Sequence, residues 1–583
     1  MNFECLPNEL LLDILKYLTG IDLFRVFHGL NKRFNDLLSL HFQHYGLDFQ
    51  PISKQDFEII CKQYLLSMVH EITSLRLSDD DDTPQQTTLF LSYGFTLNQF
   101  THLQSLSLCH LRSDEIIDKI LTKLYYLTHL SLSECYCPHD QKNVANIINT
   151  IWSLPRLTHC WLDITIENTD YFITPSIISF SLTHVSIKSL FCNLKELASL
   201  FHFTPGLQYL HVGIIERSND FRLPMVVSSI RSLNLSRVDS RHVITTLLQH
   251  MPNLRSLTVV TEDVYIDGYQ WQQIISDYLP AIEIFRFRMG FRSYNNNEKE
   301  QEVIRLLNSF RGPFWFVEHQ WFVRCHWNPT EGYDRIYVYT LPYIFEDFPF
   351  LFLNKGIQFE STCPDDDAYL SYDHTRHLCY YSYLLFNNAL FRIRFSNLHH
   401  LSVELPLSDC FRAIFPKLNH LISLDVWSCD DCDNTFVQSQ LQMLLDWIPY
   451  LTKLSFVSWP NSFYHWPFVR TKNRSIDRLE FEAPGGSGYS QVFNDELCAK
   501  LISSSLGTQC QTLVIRVKNR TNIMDLINSM NNLRAMSVRC EEEDDNDDDE
   551  IIEWLRSRLP LTCTITRDIR FSKQIRLWIS RIL

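Results

Sequence analysis

Apolar and polar positions alternate in a short pattern that returns along most of this 583-residue chain. The pattern is a sextet, apolar-x-x-apolar-x-apolar, and its first instance occupies residues 72–77. Such alternation predicts a half-buried strand, because successive side chains of a strand point to opposite faces. Further sextets begin at Leu103, Leu127, Leu157, Leu182, Leu207, Ile230, Leu254 and Ile282, and after an interruption at Leu398, Leu421, Leu451, Ile476, Cys510 and Leu533.

Helical patterns fill the intervals between the sextets. Residues 113–124 and 438–448 carry apolar side chains at three- and four-residue spacings, which predicts helices. A proline such as Pro155 or Pro252 often stands two residues before the next sextet, and proline moves the residue before it out of the helical region. Each unit is therefore predicted to be a strand, a turn and a helix that stops before the next strand.

These units resemble leucine-rich repeats of long and irregular spacing. The resemblance implies an α/β solenoid in which parallel strands line a concave face and helices lie outside, because a lone unit cannot bury its apolar side. A doubly wound α/β domain is the alternative. It needs Gly-rich turns, and the chain has only 15 glycines, which disfavours it.

A second pattern precedes the repeats, at residues 6–38. Apolar residues from Leu10 to Leu18 follow helical spacing, Gly20 is expected to end that helix, and two more short helices follow. Three helices this short cannot bury all of their leucines among themselves. The surplus apolar surface indicates one half of an interface.

This N-terminal segment resembles an F-box, the module that docks a substrate receptor onto the Skp adaptor of a cullin–RING ubiquitin ligase. The resemblance rests on Leu6-Pro7-x-Glu9, Ile14-Leu15-x-x-Leu18, Asp22-Leu23 and Lys32-Arg33-Phe34. The alternative is a three-helix cap on the repeats. By resemblance, the residues that enter the adaptor's groove are Leu6, Pro7, Ile14, Leu15, Leu18, Leu23 and Phe34.

The chain is thus predicted to hold an F-box at 1–45, a linker helix at 46–71, a first run of repeats at 72–287, an interruption at 288–397, and a second run with a C-terminal cap at 398–583. The interruption fits either degenerate repeats, which we favour, or a small inserted sheet. Its predicted strands are 314–317, 321–325 and 336–339.

Composition narrows the classes of partner. The net charge of −15 disfavours nucleic acid, which requires a basic face. No run of eighteen apolar residues and no basic-then-apolar leader is present, so we expect neither a membrane span nor a secretory signal.

Seventeen cysteines without framework spacing suit buried thiols in the cytosol, the nucleus or both. Acidic runs at 79–82, 365–367 and 541–550 are expected to be solvated loops.

The sequence contains only incomplete motifs for metal binding and phosphate binding. Cys429 and Cys432 have metal-ligand spacing but lack a second pair, and the Gly-rich stretch 484–488 lacks the Lys and Ser/Thr of a phosphate loop. His129, His159 and His184 recur at one place in the sextet, which we interpret as repeat periodicity. We therefore expect no metal, no cofactor and no catalysis by the chain alone.

The predicted concave face carries the candidate client-binding residues. In each sextet the residue between the last two apolar positions, and the one two places on, points away from the core. These positions are polar with isolated tryptophans, a composition suited to protein recognition. The candidates are Trp161, His211, Asn234, Arg286, Arg288, Asp425 and Trp427.

Together the two resemblances imply a non-catalytic substrate-recognition subunit of an SCF-type E3 ubiquitin ligase, acting in ubiquitin-dependent protein degradation. Its partners would be a Skp-type adaptor, through it a cullin, and a client protein held by the repeats. The first alternative is a leucine-rich-repeat scaffold with no ligase role. The second, an enzyme on a repeat frame, requires titratable groups clustered in one pocket.

Overall fold

The computed structural model of the chain describes residues 3–50, 52–121, 124–138, 141–216, 223–293, 298–328, 335–348, 358–380, 393–407, 411–428, 434–458, 466–469, 471–481, 491–542, 550–571 and 573–580. These residues form an N-terminal group of helices followed by two long sheets, with further helices between the strands.

Three short helices open the structure, as the apolar pattern predicts. They are α1 (Asn8–Leu15), α2 (Gly20–Phe27) and α3 (Lys32–Tyr45). The Thr19 side chain accepts a hydrogen bond from Asp22 N, so the second helix begins at Gly20, which was expected to end the first. Phe24 stacks on Phe42 with ring centroids 5.0 Å apart, and this contact packs α2 against α3.

The segment predicted as a linker helix, 46–71, is helical over residues 54–68, but its first residues begin the first sheet. β1 (Leu47–Asp48) pairs in parallel with β2 (Ser74–Ser78), and between them lie α4 (Lys54–Ile59), a π-helical turn (Ile60–Tyr64) and α5 (Leu65–Met68). Gly46 permits the pairing, because its φ is +70° and a Cβ there would lie 2.4 Å from the Ser74 carbonyl oxygen. A two-residue strand has too little periodicity to be predicted.

The first sheet has thirteen strands in the order β1 to β10, then β12, β11 and β13. After β1 and β2 they are β3 (Ser105–Cys109), β4 (His129–Cys137), β5 (His159–Ile166), β6 (His184–Cys192), β7 (Tyr209–Ile214), β8 (Ser232–Val238), β9 (Ser256–Glu262), β10 (Ile284–Arg292), β11 (Val323–Trp327), β12 (Arg335–Thr340) and β13 (Gln358–Ser361). The accompanying helices are α6 (Gln86–Ser92), α7 (Asp114–Leu121), α8 (Gln141–Trp152), α9 (Leu194–Phe203), α10 (Arg241–Leu248), α11 (Gly268–Tyr278) and α12 (Lys299–Ser309). Strands β1 to β10 pair in parallel throughout.

The interruption at 288–397 departs from the repeat. β12 pairs antiparallel with both β10 and β11, and β11 pairs antiparallel with β13. These described strands extend the sheet with a small antiparallel part, so the degenerate repeats that we favoured are not what they form. The strand predicted at 314–317 is a π-helical turn (Phe314–Glu318), because a short apolar run does not distinguish a strand from a buried helical turn.

The second sheet has ten strands and returns to parallel pairing. They are β14 (His377–Tyr380), β15 (His400–Leu405), β16 (Ser423–Ser428), β17 (Lys453–Ser458), β18 (Arg478–Glu480), β19 (Val492–Phe493), β20 (Thr512–Val517), β21 (Ala535–Cys540), β22 (Thr564–Arg567) and β23 (Gln574–Trp578). Its helices are α13 (Phe411–Ile414), α14 (Asn434–Trp447), α15 (Asp495–Ser503), α16 (Ser505–Gln509), α17 (Arg520–Ser529) and α18 (Glu550–Arg556). β23 pairs antiparallel with β21 and β22 at the C-terminal edge.

The apolar sextet positions form the core. Leu75, Leu106 and Leu130 are aligned across β2, β3 and β4 and are buried. Ser107 and Ser131, which alternate with them, point to the opposite and more exposed face. The result is an α/β arrangement with a large, mostly parallel sheet, compatible with the repeat architecture predicted from the sextets.

The two sheets meet at both ends. At one end an isolated parallel bridge joins Asp347 to His377, and Arg288 on β10 binds Asp347 at 2.8 Å. At the other end Phe57 packs against Trp578, with ring centroids 5.5 Å apart. The solenoid therefore closes on itself, and the sheet face opposite the core, which we call the concave face, lines its inside.

The acidic run at 79–82 belongs to this closure. Arg576 Nε donates to Asp81 at 3.1 Å, and Arg478 donates to Asp81 at 3.3 Å and to Asp82 at 2.8 Å. We call these four residues the acidic clasp. The expectation of a solvated loop was wrong for this run, because Arg576 reaches it from 495 residues further along the chain.

Candidate protein-binding surfaces

The N-terminal helices expose large apolar side chains. Leu10 and Ile14 lie one turn apart on α1 and keep 50% and 37% of their surface exposed. Tyr17, Val26 and Leu30 are exposed to 89%, 57% and 56%. Part of the apolar surface of these helices is therefore not used by the fold, a property typical of protein-binding sites.

The residues predicted to enter an adaptor's groove divide into two groups. Pro7 and Ile14 are exposed, and Leu6 and Leu18 are half-buried. The other three residues are buried in the core of the protein itself, and they are Leu15, Leu23 and Phe34. In this conformation they are not accessible to an adaptor. The apolar pattern did not distinguish them from Leu10, Val26 and Leu30, because it marks apolar positions without showing which ones the fold covers.

The helices are attached firmly to the repeats. Arg25 on α2 binds Asp56 on α4 at 2.9 Å, and Phe24 stacks on Tyr64 with centroids 5.3 Å apart. Arg33 Nε donates to Asn8 Oδ1 at 2.9 Å, which ties α3 to the start of α1. The exposed apolar side chains thus lie on a rigid support that continues into the first sheet.

Three histidines form a stacked row on the concave face. His129, His159 and His184 are aligned partners on β4, β5 and β6. Their ring centroids lie 4.4 Å and 4.1 Å apart with interplanar angles of 12° and 14°, and Tyr209 continues the stack at 5.8 Å. We call the three the histidine ladder. The sextet periodicity had revealed these positions, but the sequence did not show that neighbouring strands bring the rings into contact.

Trp161 lies beside the ladder. Its ring centroid is 5.6 Å from that of His159 and 6.1 Å from that of His129, and the side chain is 40% exposed. Burial and the neighbouring imidazoles lower the pKa of His159, and burial and His129 lower that of His184. His159 and His184 therefore present neutral imidazoles near an exposed aromatic ring at neutral pH.

Several of the remaining predicted client-binding residues form hydrogen bonds or ion pairs with other side chains of the protein. His211 lies 3.1 Å from Ser186 Oγ, and Arg288 binds Asp347 and Tyr343. Burial would raise the pKa of Asp425, but His400, whose Nε2 lies 3.2 Å away, holds that pKa below its usual range. Three further candidates are half-buried on the same face, namely Asn234, Arg286 and Trp427. Contact with a client stays a prediction for every candidate residue of the concave face.

A cavity of about 820 Å³ lies next to the acidic clasp. Its lining mixes charges of both signs, including Asp82, Arg112, Lys453 and Arg570. Burial, followed by the charge of Arg576, lowers the pKa of the Arg112 guanidinium to about 9. The charged side chains here mainly serve the closure of the solenoid, as the Arg112 contact with Asp568 shows.

Among the described residues, no group of three His, Cys, Asp or Glu side chains is placed to hold a metal ion. Cys429, Cys432 and the Gly-rich stretch 484–488 lie outside those residues. Burial raises the pKa of thiols such as Cys160 and Cys192, which makes them poor nucleophiles. Within the same part of the chain, no helix has the length and apolar character needed to cross a membrane.

Comparison with known proteins gives little. No protein-family model matches the chain, and no curated protein matches it. Among solved structures, it is similar to the crystal structure of the Rad7 and Elc1 complex in yeast, with 13% sequence identity over 81% of this chain and 90% of that chain. The TM-score is 0.23, too low to carry an argument about fold or function.

Proposed function

We propose that the chain is a non-catalytic substrate-recognition subunit of an SCF-type ubiquitin ligase. In this proposal the N-terminal helices bind a Skp-type adaptor and through it a cullin, and the repeats hold a client protein in the cytosol or nucleus. The chain forms and breaks no bond. It raises the effective concentration of the client's lysines beside the ligase.

One observation carries the proposal: Leu10, Ile14 and Val26 are exposed on helices that are otherwise well packed. These side chains lie in the segment whose Leu6-Pro7-x-Glu9 and Ile14-Leu15-x-x-Leu18 motifs resemble an F-box. Exposed apolar side chains on a rigid support suit insertion into a hydrophobic groove.

Co-purification of the full chain with a Skp-type adaptor tests the proposal. Ile14→Asp should abolish capture while the protein stays folded, because an aspartate at this partly exposed position costs far more inside a groove than in water. Ile178→Asp is a matched control, since Ile178 is 44% exposed and lies far along the chain, before β6. Loss of capture by the control, or normal capture by Ile14→Asp, would contradict the assignment. Leu15 is a poor target, because it is fully buried and its replacement would unfold the helices.

The alternative, a scaffold on which these helices are a cap, is favoured by one observation. The helices share a core with the first strands, through residues such as Phe24, Phe42 and Leu47. Deleting residues 1–45 would therefore destabilise the protein under either function, and only adaptor capture separates the two.

A further inference from the structure

The tautomer of the neutral imidazoles in the histidine ladder follows from their hydrogen bonds. Thr128 Oγ1 donates its single proton to the Gln104 carbonyl oxygen at 3.0 Å, because a carbonyl only accepts. His129 Nδ1 lies 2.8 Å from the same Oγ1 and must therefore be the donor. The same pair of bonds recurs at Thr158 with His159 and at Thr183 with His184.

Each neutral imidazole of the ladder thus carries its proton on Nδ1 and a lone pair on Nε2. Among the described residues, no hydrogen bond to these three Nε2 atoms is found. The matching histidine of the second sheet differs, because His400 Nε2 lies 3.1 Å from Ser402 Oγ and 3.2 Å from Asp425. The ladder therefore offers a row of hydrogen-bond acceptors, spaced by the strands of the sheet.

The surroundings of the ladder add an aromatic face and a carboxylate. Trp161 is exposed, and Asp163 follows it two places on along β5, so both point to the concave face. Asp163 Oδ1 accepts a hydrogen bond from Ser189 Oγ, and Asp163 Oδ2 pairs with Lys188 at 3.5 Å. Because the Lys188 side chain is 70% exposed, a stronger cation readily displaces Lys188 from Oδ2. Hydrogen-bond acceptors, an aromatic ring and a negative charge together match a side chain that is planar, positively charged and rich in hydrogen-bond donors.

We propose that the ladder surface, made of the histidine ladder with Trp161 and Asp163, binds an arginine side chain of a partner protein. The guanidinium group stacks on the Trp161 ring, donates to ladder Nε2 atoms and pairs with Asp163. Lysine fits less well, because an ammonium group lacks the planar fork that contacts a ring and several acceptors at once. The net charge of −15 favours approach of a basic segment.

This inference rests on the proposed function only in taking the partner to be the client. Its test uses the full chain without an adaptor, so failure of adaptor capture leaves it unaffected. The probes are fluorescein-labelled peptides of four Gly-Arg, four Gly-Lys or four Gly-Glu repeats, measured by fluorescence anisotropy at physiological salt. We expect the arginine peptide to bind roughly fivefold more tightly than the lysine peptide.

Two variants test the surface itself. Trp161→Ala and His159→Ala should each reduce arginine-peptide affinity to the level of the lysine peptide, while adaptor capture persists. Trp554→Ala is the matched control, since Trp554 lies on α18, away from the concave face, and should leave the preference for arginine unchanged. Circular dichroism and the melting temperature establish that each variant is folded.

The inference is overturned by equal affinity for the arginine and lysine peptides, by no measurable arginine binding, or by tighter binding of the glutamate peptide. Retention of the arginine preference in a folded Trp161→Ala or His159→Ala protein overturns it too. If Trp161→Ala does not fold, the His159→Ala result decides, because that side chain is only half-buried and borders the same surface.

Discussion

Replacing Asp81 by asparagine should weaken the closure of the solenoid. Burial alone would raise the pKa of Asp81, but the guanidinium groups of Arg576 and Arg478 hold it well below its usual range. The variant keeps the shape of the side chain and removes its charge. Arg576, whose side chain is only 3% exposed, then loses the carboxylate that neutralises it.

The size of the effect follows from the burial of the two partners. Removing one member of a fully buried ion pair costs about 3–5 kcal/mol. Asp81 keeps 23% of its side chain exposed, and Arg576 still donates to the carbonyl oxygens of Asp79 and Asp80. We therefore expect the free energy of unfolding to fall by about 2 kcal/mol, measured by urea denaturation at pH 7.

Asp82→Asn is the matched control, one residue away. Burial raises the pKa of Asp82, so the structure does not favour its charged form as it does that of Asp81. Its partner Arg478 also retains Glu480 at 2.7 Å. The control should lower the free energy of unfolding by less than Asp81→Asn does, because Arg478 keeps two other carboxylates, those of Asp81 and Glu480.

The pH dependence gives a second measurement. A carboxyl whose pKa is lowered by folding adds stability that is present above its unfolded pKa of about 3.9 and is lost as pH falls through the folded value. Wild type and Asp81→Asn should therefore differ fully at pH 7 and progressively less below about pH 4. Equal losses in Asp81→Asn and Asp82→Asn, or no loss in Asp81→Asn, would refute the specific role assigned to the pair of Asp81 and Arg576.

Three further outcomes are expected. Gly46→Ala should lower the free energy of unfolding by about 2 kcal/mol or more, because the φ of Gly46 is positive and the added Cβ would collide with the Ser74 carbonyl oxygen. Gly312→Ala is the control and should change the free energy of unfolding little, because its Cβ would lie in open space. In proton NMR titrations, His159 and His184 should show pKa values below the ordinary value of about 6.5. The stability that these two histidines contribute should fall as pH drops below that value, because the unfolded chain binds protons at a higher pH than the folded protein does. In the native protein the thiol reagent DTNB should label exposed Cys5 quickly and leave Cys160 unlabelled, because burial raises the pKa of the Cys160 thiol and excludes the reagent.

Local patterns predicted the repeating part of the fold well. Leu106 and Leu108 on β3, like their counterparts in other sextets, are buried as the alternation requires. The prediction succeeds because a strand and the helix after it are each encoded within one short stretch, and stacking repeats them with the same neighbours. The antiparallel extension through β12 has no such repeated code and was assigned to the wrong alternative.

The sequence by itself determined which side chains are apolar, which strands and helices recur, and that the N-terminal helices carry more apolar surface than three short helices can cover. Only the tertiary structure decided that Ile14 stays partly exposed while Leu15 is buried, that three histidines stack into one row, and that Arg576 reaches Asp81. The physical reason is distance along the chain. Helix and strand periodicity is set by neighbouring residues, whereas exposure, ring stacking and charge pairing depend on residues brought together from distant segments.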